Sequence, residues 1–337
     1  MRVWIDLANS PHVPLFAPVV RALEEREDAV LLSARDNAQT LPLAQQLWPE
    51  VRIVGGSSPA GRVGKAAAIA GRALQLRRLR REFRPDVALS HGSYAQILAC
   101  VGSRVGVVTM MDYEFQPANH ISFRLADRIL VPHAFPDAAL RRFGARPRKV
   151  VRYEGFKEEL YLGAAAADDG LADELGLDRS KVIVVFRPPP DGALYHRFEN
   201  TRFDALLDAA ARRADVQAVV LPRTASQRSR FEERALIPQR AIDGPALLGL
   251  ADLVVGGGGT MTREAALLGT PTYTVFAGDL AAVDQALIDR GLLSDLRDTA
   301  AVPRFTKKPA QPGAAEHGPA LLQKVLDSID ETANRTR

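Results

Sequence analysis

At 337 residues the chain is longer than one hydrophobic core usually sustains, so two domains of about 150 residues each are expected. Hydrophobic residues at 47% and charged residues at 25% exclude a disordered or fibrous chain. The 44 basic side chains, 37 Arg and seven Lys, exceed the 40 acidic ones only slightly, and with 6% aromatic residues there is no basic stripe interleaved with aromatics, so no nucleic-acid partner is expected.

From the N-terminus, short β-branched runs predict strands at 2–7, 30–34, 51–54, 87–90, 105–110 and 128–131. Amphipathic patterns at 17–26, 39–47, 65–83, 94–101 and 121–126 alternate with them, the rhythm of a parallel sheet with helices on its faces. Asp6, Pro11, His12 and Pro14 interrupt the first 20 residues where a signal peptide needs an apolar run, and no stretch reaches ~18 apolar residues, so a cytoplasmic protein is expected. The single cysteine, Cys100, has no partner for a disulfide and lies in an apolar helical stretch, as suits a reducing compartment.

Residues 155–178 turn Ala- and Asp-rich without a strand pattern and read as a linker. A second series follows, with strands at 181–186, 217–221, near Ala241, 252–255 and 272–276 and helices at 203–213 and 262–268. The Pro-, Gly-, Ala- and Lys-rich stretch 306–319 reads as a mobile loop before a last amphipathic helix at 320–329. The expected α/β architecture is two Rossmann-like parallel-sheet domains facing a central cleft, 1–160 and 175–318. A C-terminal helix, 319–333, is expected to pack back across the junction.

The chemistry concentrates at strand ends. In the second domain a buried strand runs into Gly256, Gly257, Gly258 and Gly259, then into a helix through Thr260, Met261 and Thr262. Glycines let an anion approach the backbone, and the helix start offers N–H groups and positive dipole, which is how a protein holds a diphosphate. Thr260 or Thr262 can add a hydroxyl, and Glu264, one turn on, suits ribose hydroxyls. Arg187 ends the first strand of this domain and is placed to neutralise phosphate, with Tyr195 and His196 shortly after.

In the first domain Asn9, Ser10 and His12 follow the first strand, with His12 the candidate general base for an acceptor hydroxyl. His91, Gly92, Ser93 and Tyr94, then Asp112, Tyr113 and Glu114, follow the fourth and fifth strands, and Asp112 and Glu114 complete the catalytic candidates. The run Gly61 to Ala66 is not a P-loop, because Ala66 stands where a Ser or Thr would hold magnesium. With neither zinc spacing nor an Asp-x-Asp motif, no metal is expected. The basic run Arg72, Arg77, Arg78, Arg80, Arg81 and Arg84 reads as a solvated helix face, with contact to anionic lipid as the alternative.

The opening Trp4 to Val13 and the four-glycine segment together resemble a prokaryotic domain-of-unknown-function family placed in the GT-B superfamily. That superfamily includes the peptidoglycan N-acetylglucosaminyltransferase and the UDP-N-acetylglucosamine 2-epimerases. The resemblance implies that Gly257 to Thr260 hold a diphosphate and Glu264 the ribose. It implies further that Ile242, in Ala241 to Gly244, lies against the base, and that Asp284 and Gln285 hold donor-sugar hydroxyls. Ser93 and Tyr94 stand where an epimerase has an Asp, and Gln116 to Ala118 lacks its paired acids. The expected activity is therefore metal-independent glycosyl transfer from a nucleotide-diphosphate donor, UDP preferred, to an acceptor for which a lipid-linked species is one option. A 2-epimerase-like enzyme and a non-catalytic nucleotide-sugar binder are the alternatives.

Overall fold

The computed structural model describes residues 1–37, 39–56, 61–163, 169–189, 201–240, 242–309 and 313–336. The chain divides into two units, Met1–Tyr161 with His317–Arg337, and Leu162–Glu316.

The first unit alternates β1 (Arg2–Leu7), α1 (His12–Glu25), β2 (Ala29–Ala34), α2 (Thr40–Leu47), β3 (Arg52–Ile53), α3 (Arg62–Phe83), β4 (Val87–His91), α4 (Tyr94–Cys100), β5 (Gly106–Met110), α5 (Asn119–Leu125), β6 (Arg128–Pro132), α6 (Asp137–Phe143), β7 (Val150–Tyr153) and α7 (Glu159–Leu162). The seven strands are all parallel, in the order β3-β2-β1-β4-β5-β6-β7. Strand order reverses between β1 and β4, so the loops after these two strands diverge at one sheet end and leave room there for chemistry. β1 is central and buried on both faces: Val3, Ile5 and Leu7 pack with Val13, Phe16 and Val20 of α1, while Trp4 joins Leu76 of α3 and Phe123 of α5. β7 and α6 carry no strong sequence pattern. β7 is an edge strand of four residues paired only with β6, and its alternation is blurred by Arg152.

The second unit holds α8 (Asp169–Glu174), β8 (Val182–Arg187), α9 (Thr201–Ala211), β9 (Val216–Val220), α10 (Ala225–Phe231), α11 (Gly244–Leu250), β10 (Leu253–Gly256), α12 (Thr260–Leu267), β11 (Thr272–Thr274), α13 (Ala282–Asp289) and β12 (Ser294–Asp295). Its sheet is parallel, ordered β12-β11-β10-β8-β9, so its switch point lies between β8 and β10. Phe186, Val184 and Val255 face α9 and α10 on one side, and Val185, Ile183 and Val254 face α11 and α12 on the other.

Three local expectations are corrected. The part of 155–178 that is described forms short helices, because Leu171, Ala172 and Leu177 find a core to enter. Among the described residues around 241 there is no strand. Ala241 lies outside the described residues, Ile242 and Asp243 lead into α11, and the parallel bridge in this region joins Leu236 to Val219.

The described part of 306–319 is tied down rather than loose. Asp252 accepts from the Lys307 ammonium at 3.0 Å and from the Lys308 backbone at 3.1 Å, and the Ala314 N–H donates to Leu267 C=O at 2.7 Å. A last helix, α14 (Gly318–Thr336), buries Leu321, Val325, Ile329 and Ala333 in the core of the first unit beside α1. Their four-residue spacing makes one apolar stripe. No helix among the described residues is long and apolar enough to cross a membrane.

Candidate functional site

In the second unit, β10 ends where the Gly257 N–H still donates to Arg187 C=O at 2.8 Å, continuing the sheet. The chain then turns through Gly258 at φ +92° and Gly259 at φ +96°, a region in which a side chain is strained. A Cβ on Gly257 would lie 2.5 Å from the Pro189 nitrogen, and one on Gly258 2.6 Å from the Phe276 ring. Glycine is therefore demanded by packing as well as by dihedral. Gly259 caps α12 with no side-chain hydrogen bond, and the Thr262 N–H returns to Gly259 C=O at 3.2 Å. Among the described residues, the amides of Gly258, Gly259, Thr260 and Met261 meet no protein acceptor. Four N–H groups at a helix start are thus available to an anion.

Two arginines flank this loop. Arg223 donates from Nη2 to Gly258 C=O at 3.3 Å and from Nε to Pro188 C=O at 3.1 Å. Arg187 is half-buried, donates from Nη1 to Leu221 C=O at 2.7 Å, and has no partner for Nε. Burial first, and the neighbouring charge of Arg223 second, pull its pKa down to about 9, against the opposing pull of Glu264. An anion arriving here would relieve the repulsion between the two cations.

The other residues expected on this side are distributed unevenly. Glu264 is buried, with its charge acting on Arg187, and Thr262 is buried against Gly256 with no partner for its hydroxyl. Asp284, expected to hold sugar hydroxyls, instead accepts from Arg263 Nε at 2.6 Å and Nη2 at 3.2 Å in a buried ion pair. Gln285 is exposed and donates to Asp289 of its own helix at 2.8 Å. Ile242 packs against the core, and Asp243 caps α11 by accepting from the Ala246 N–H at 3.0 Å. Tyr195 and His196 lie outside the described residues.

In the first unit, buried polar side chains gather at the ends of β1, β4 and β5. Asp6, in the apolar run of β1, is fully buried and takes both oxygens to Arg72, at 2.8 Å each. It also accepts from the hydroxyls of Ser33 and Ser93, each at 2.5 Å. Arg72 is therefore not part of a solvated face: it is 8% exposed and lies beneath the sheet end, donating besides to Val54 C=O at 2.8 Å.

One step outward, Asp112 lies between two cationic candidates. Lys157 Nζ reaches its Oδ2 at 2.6 Å, and His91 Nε2 stands 3.2 Å from its Oδ1, outside hydrogen-bonding alignment. Lys157 also pairs with Glu158, and all of Asp112, Lys157, Glu158 and Glu114 are buried. Burying this much charge costs free energy that pairing only partly offsets, which makes the cluster a candidate site. Asn9 is exposed, and Ser10 Oγ lies 3.4 Å from Thr40 Oγ1. Arg223, Lys157 and Glu158 escape a motif search because tertiary contact alone defines them. Asp6 carried a signal, since a carboxylate inside a buried strand must find a cation.

His12 begins α1, and its ring centroid lies 5.2 Å from that of His91. The Ala8 N–H donates to His12 Nδ1 at 3.2 Å. A backbone N–H can only donate, so Nδ1 is the acceptor and the neutral ring carries its proton on Nε2. In this tautomer the one lone pair is engaged by the Ala8 N–H, and His12 presents an N–H. Burial, then the charges of His91 and Lys157, hold its pKa well below the usual histidine value, with Asp112 opposing.

Because the folded pKa is the lower one, acidification loads the unfolded chain first. Stability present above about pH 6.5 should fall at up to about 1.4 kcal/mol per pH unit down to the folded pKa. Urea unfolding between pH 5 and 8 checks this, and the slope in that window should be shallower by this amount in His12→Gln.

Among the described residues no group of three or more His, Cys, Asp and Glu has the arrangement of a metal site. The family model described as Protein of unknown function (DUF354) matches residues 1–304. An uncharacterised protein of Methanocaldococcus jannaschii is 29% identical over 303 residues, 88% of each chain. Among solved structures, the UDP-N-acetylglucosamine 2-epimerase of Rickettsia bellii aligns with a TM-score of 0.72 at 12% identity, covering 99% of this chain and 97% of its own. Methanocaldococcus jannaschii UDP-GlcNAc 2-epimerase in complex with UDP-GlcNAc and UDP aligns with a TM-score of 0.69 at 13% identity, covering 99% and 93%. At such identity the likeness carries the fold, which is GT-B: two parallel-sheet α/β units.

Proposed function

The chain belongs to the family described as Protein of unknown function (DUF354), and from its fold and its two polar centres we propose that it is a nucleotide-sugar enzyme that transfers the sugar of a UDP-sugar to an acceptor hydroxyl. The single observation that carries this is the helix start with four amides lacking a protein acceptor, flanked by Arg187 and Arg223. When the bond between the anomeric carbon and the phosphate oxygen breaks, negative charge grows on the departing diphosphate. Amides fixed in place before the reaction stabilise that charge without reorganising, as a metal ion does in other enzymes.

The first unit supplies the proton chemistry in this scheme. Asp112, paired with Lys157, stands 3.2 Å from His91 Nε2, so its negative charge can stabilise the imidazolium that forms when His91 takes the proton of the attacking hydroxyl on its other nitrogen. His12 contributes a hydrogen-bond donor. A 2-epimerase-like reaction is the second option, favoured by the density of carboxylates around Lys157, which suits proton transfer at a sugar carbon.

UDP and UDP-N-acetylglucosamine are expected to raise the unfolding temperature, since a ligand at 100 times its Kd adds about 2.7 kcal/mol to the native state. If none of UDP, dTDP, GDP or their sugars does so at millimolar concentration, the assignment fails. Incubating UDP-N-acetylglucosamine in deuterated water separates the two reactions. Deuterium entering at C2 without acceptor marks the epimerase, whereas UDP release that needs an added acceptor marks transfer.

A further inference from the structure

At the opposite rim of the first sheet, residues just before β4 and β5 line a cavity of about 590 Å³. Its wall holds Arg80, Arg81, Arg84 and Arg104 with one carboxylate, Asp86, and the Ser103 side chain. β4 runs five residues from this rim to His91, so about 16 Å of strand separates the cavity from the polar cluster described above.

The four guanidiniums differ from many arginines elsewhere in the chain. Arg26, Arg128, Arg152, Arg213, Arg234 and Arg297 each face a carboxylate within ion-pair distance. None of Arg80, Arg81, Arg84 or Arg104 forms an ion pair among the described residues, and Arg80 Nη1 is buried with no acceptor. Asp86 is partly spent, since one oxygen accepts the Arg2 N–H at 2.8 Å.

The helix dipole accounts for cations in the last turn of α3, where Arg80 and Arg81 sit. It does not account for Arg104, which comes from the loop before β5. Arg84, the C-cap of α3 at φ +50°, lies at the same negative helix end as Arg80 and Arg81. Two chain segments thus converge four positive forks on one hollow, with one carboxylate against them.

We propose that this cavity is a second binding site, separate from the glycine-lined helix start, for a compact ligand carrying two or more phosphate groups. Guanidinium forks match phosphate oxygens two at a time, so a diphosphate can be held by neighbouring arginines without a metal ion. A net excess of three positive charges around the hollow matches the charge of one such group. The free ligand and a phosphate-bearing lipid headgroup share this chemistry, and the two arms of the test below separate them.

Calorimetric titration with inorganic pyrophosphate tests the site. The wild-type chain is compared with an Arg81→Ala/Arg84→Ala/Arg104→Ala variant, whose altered side chains are exposed, and with Arg223→Ala at the helix start. The triple variant should lose one pyrophosphate equivalent, or bind it at least tenfold more weakly, while unfolding at the wild-type temperature. Arg223→Ala should retain that equivalent. Equal stoichiometry and affinity in wild type and triple variant would overturn the site. So would co-sedimentation of the wild type with phosphatidic acid vesicles combined with no uptake of pyrophosphate by this cavity. Failure of UDP to bind at the helix start leaves the contrast between wild type and triple variant intact, so the two proposals fail separately.

Discussion

Asp6→Ala is expected to destabilise the first unit by about 3–5 kcal/mol, the usual cost of stranding one member of a buried ion pair. Arg72 is 8% exposed and places two nitrogens on this carboxylate, so removing Asp6 leaves a guanidinium in an apolar interior with only Val54 C=O and Ser93 to meet it. Ser33 and Ser93 lose an acceptor as well, and Ser33 in turn receives the Trp4 indole N–H at 2.9 Å. The damage therefore spreads from β1 to β2 and to the start of α4. Urea unfolding measures the loss. Asp6→Ala combined with Arg72→Met should recover much of it, because the penalty comes from the uncompensated charge. A double variant no more stable than Asp6→Ala alone would show that the network acts through its hydroxyls instead.

Gly258→Ala should weaken UDP binding by roughly 100-fold or more. Two hydrogen bonds from backbone amides to a charged group are together worth about 3 kcal/mol or more, and the new Cβ would tilt those amides away. It meets the Phe276 ring at 2.6 Å on a backbone at φ +92°, so both packing and dihedral push the loop out of shape. Isothermal calorimetry reads the affinity, and thermal unfolding verifies that the fold persists. Adding Phe276→Ala removes the collision and leaves the dihedral strain, so the double variant should regain part of the lost affinity. Wild-type affinity in Gly258→Ala would remove the loop from any account of ligand binding.

What could be read from the sequence was local. The strands of the first unit announce themselves because parallel strands buried on both faces are continuous apolar runs, as Val87 to Leu89 and Val107 to Val108 are. The glycine segment was legible for a different reason: nothing but a close backbone approach calls for four glycines between a buried strand and a helix. β12 was missed because two exposed residues, Ser294 and Asp295, carry no pattern at all.

The polar clusters were legible only in fragments. Arg72 looked like one more arginine of a basic helix, yet its partner lies 66 positions away on β1. His12 was correctly read as a strand-end residue, but its protonation depends on the Ala8 N–H, which no residue type reveals. Asp112 was singled out while Lys157, 45 positions later, was not, because only the fold brings β5 and the segment after β7 together.

The buried carboxylate of Glu159 holds two distant stretches of chain at once: Oε1 accepts the Phe156 N–H at 2.8 Å and Oε2 the His317 N–H at 2.7 Å. The first unit is thus left and re-entered at neighbouring points, with α14 supplying Leu321, Val325 and Ile329 to its core. On the ribosome, Val13, Phe16 and Val20 have no cover from that helix until Leu321 to Ile329 emerge. The core of the first unit is therefore completed only by residues that follow the whole of the second unit in sequence.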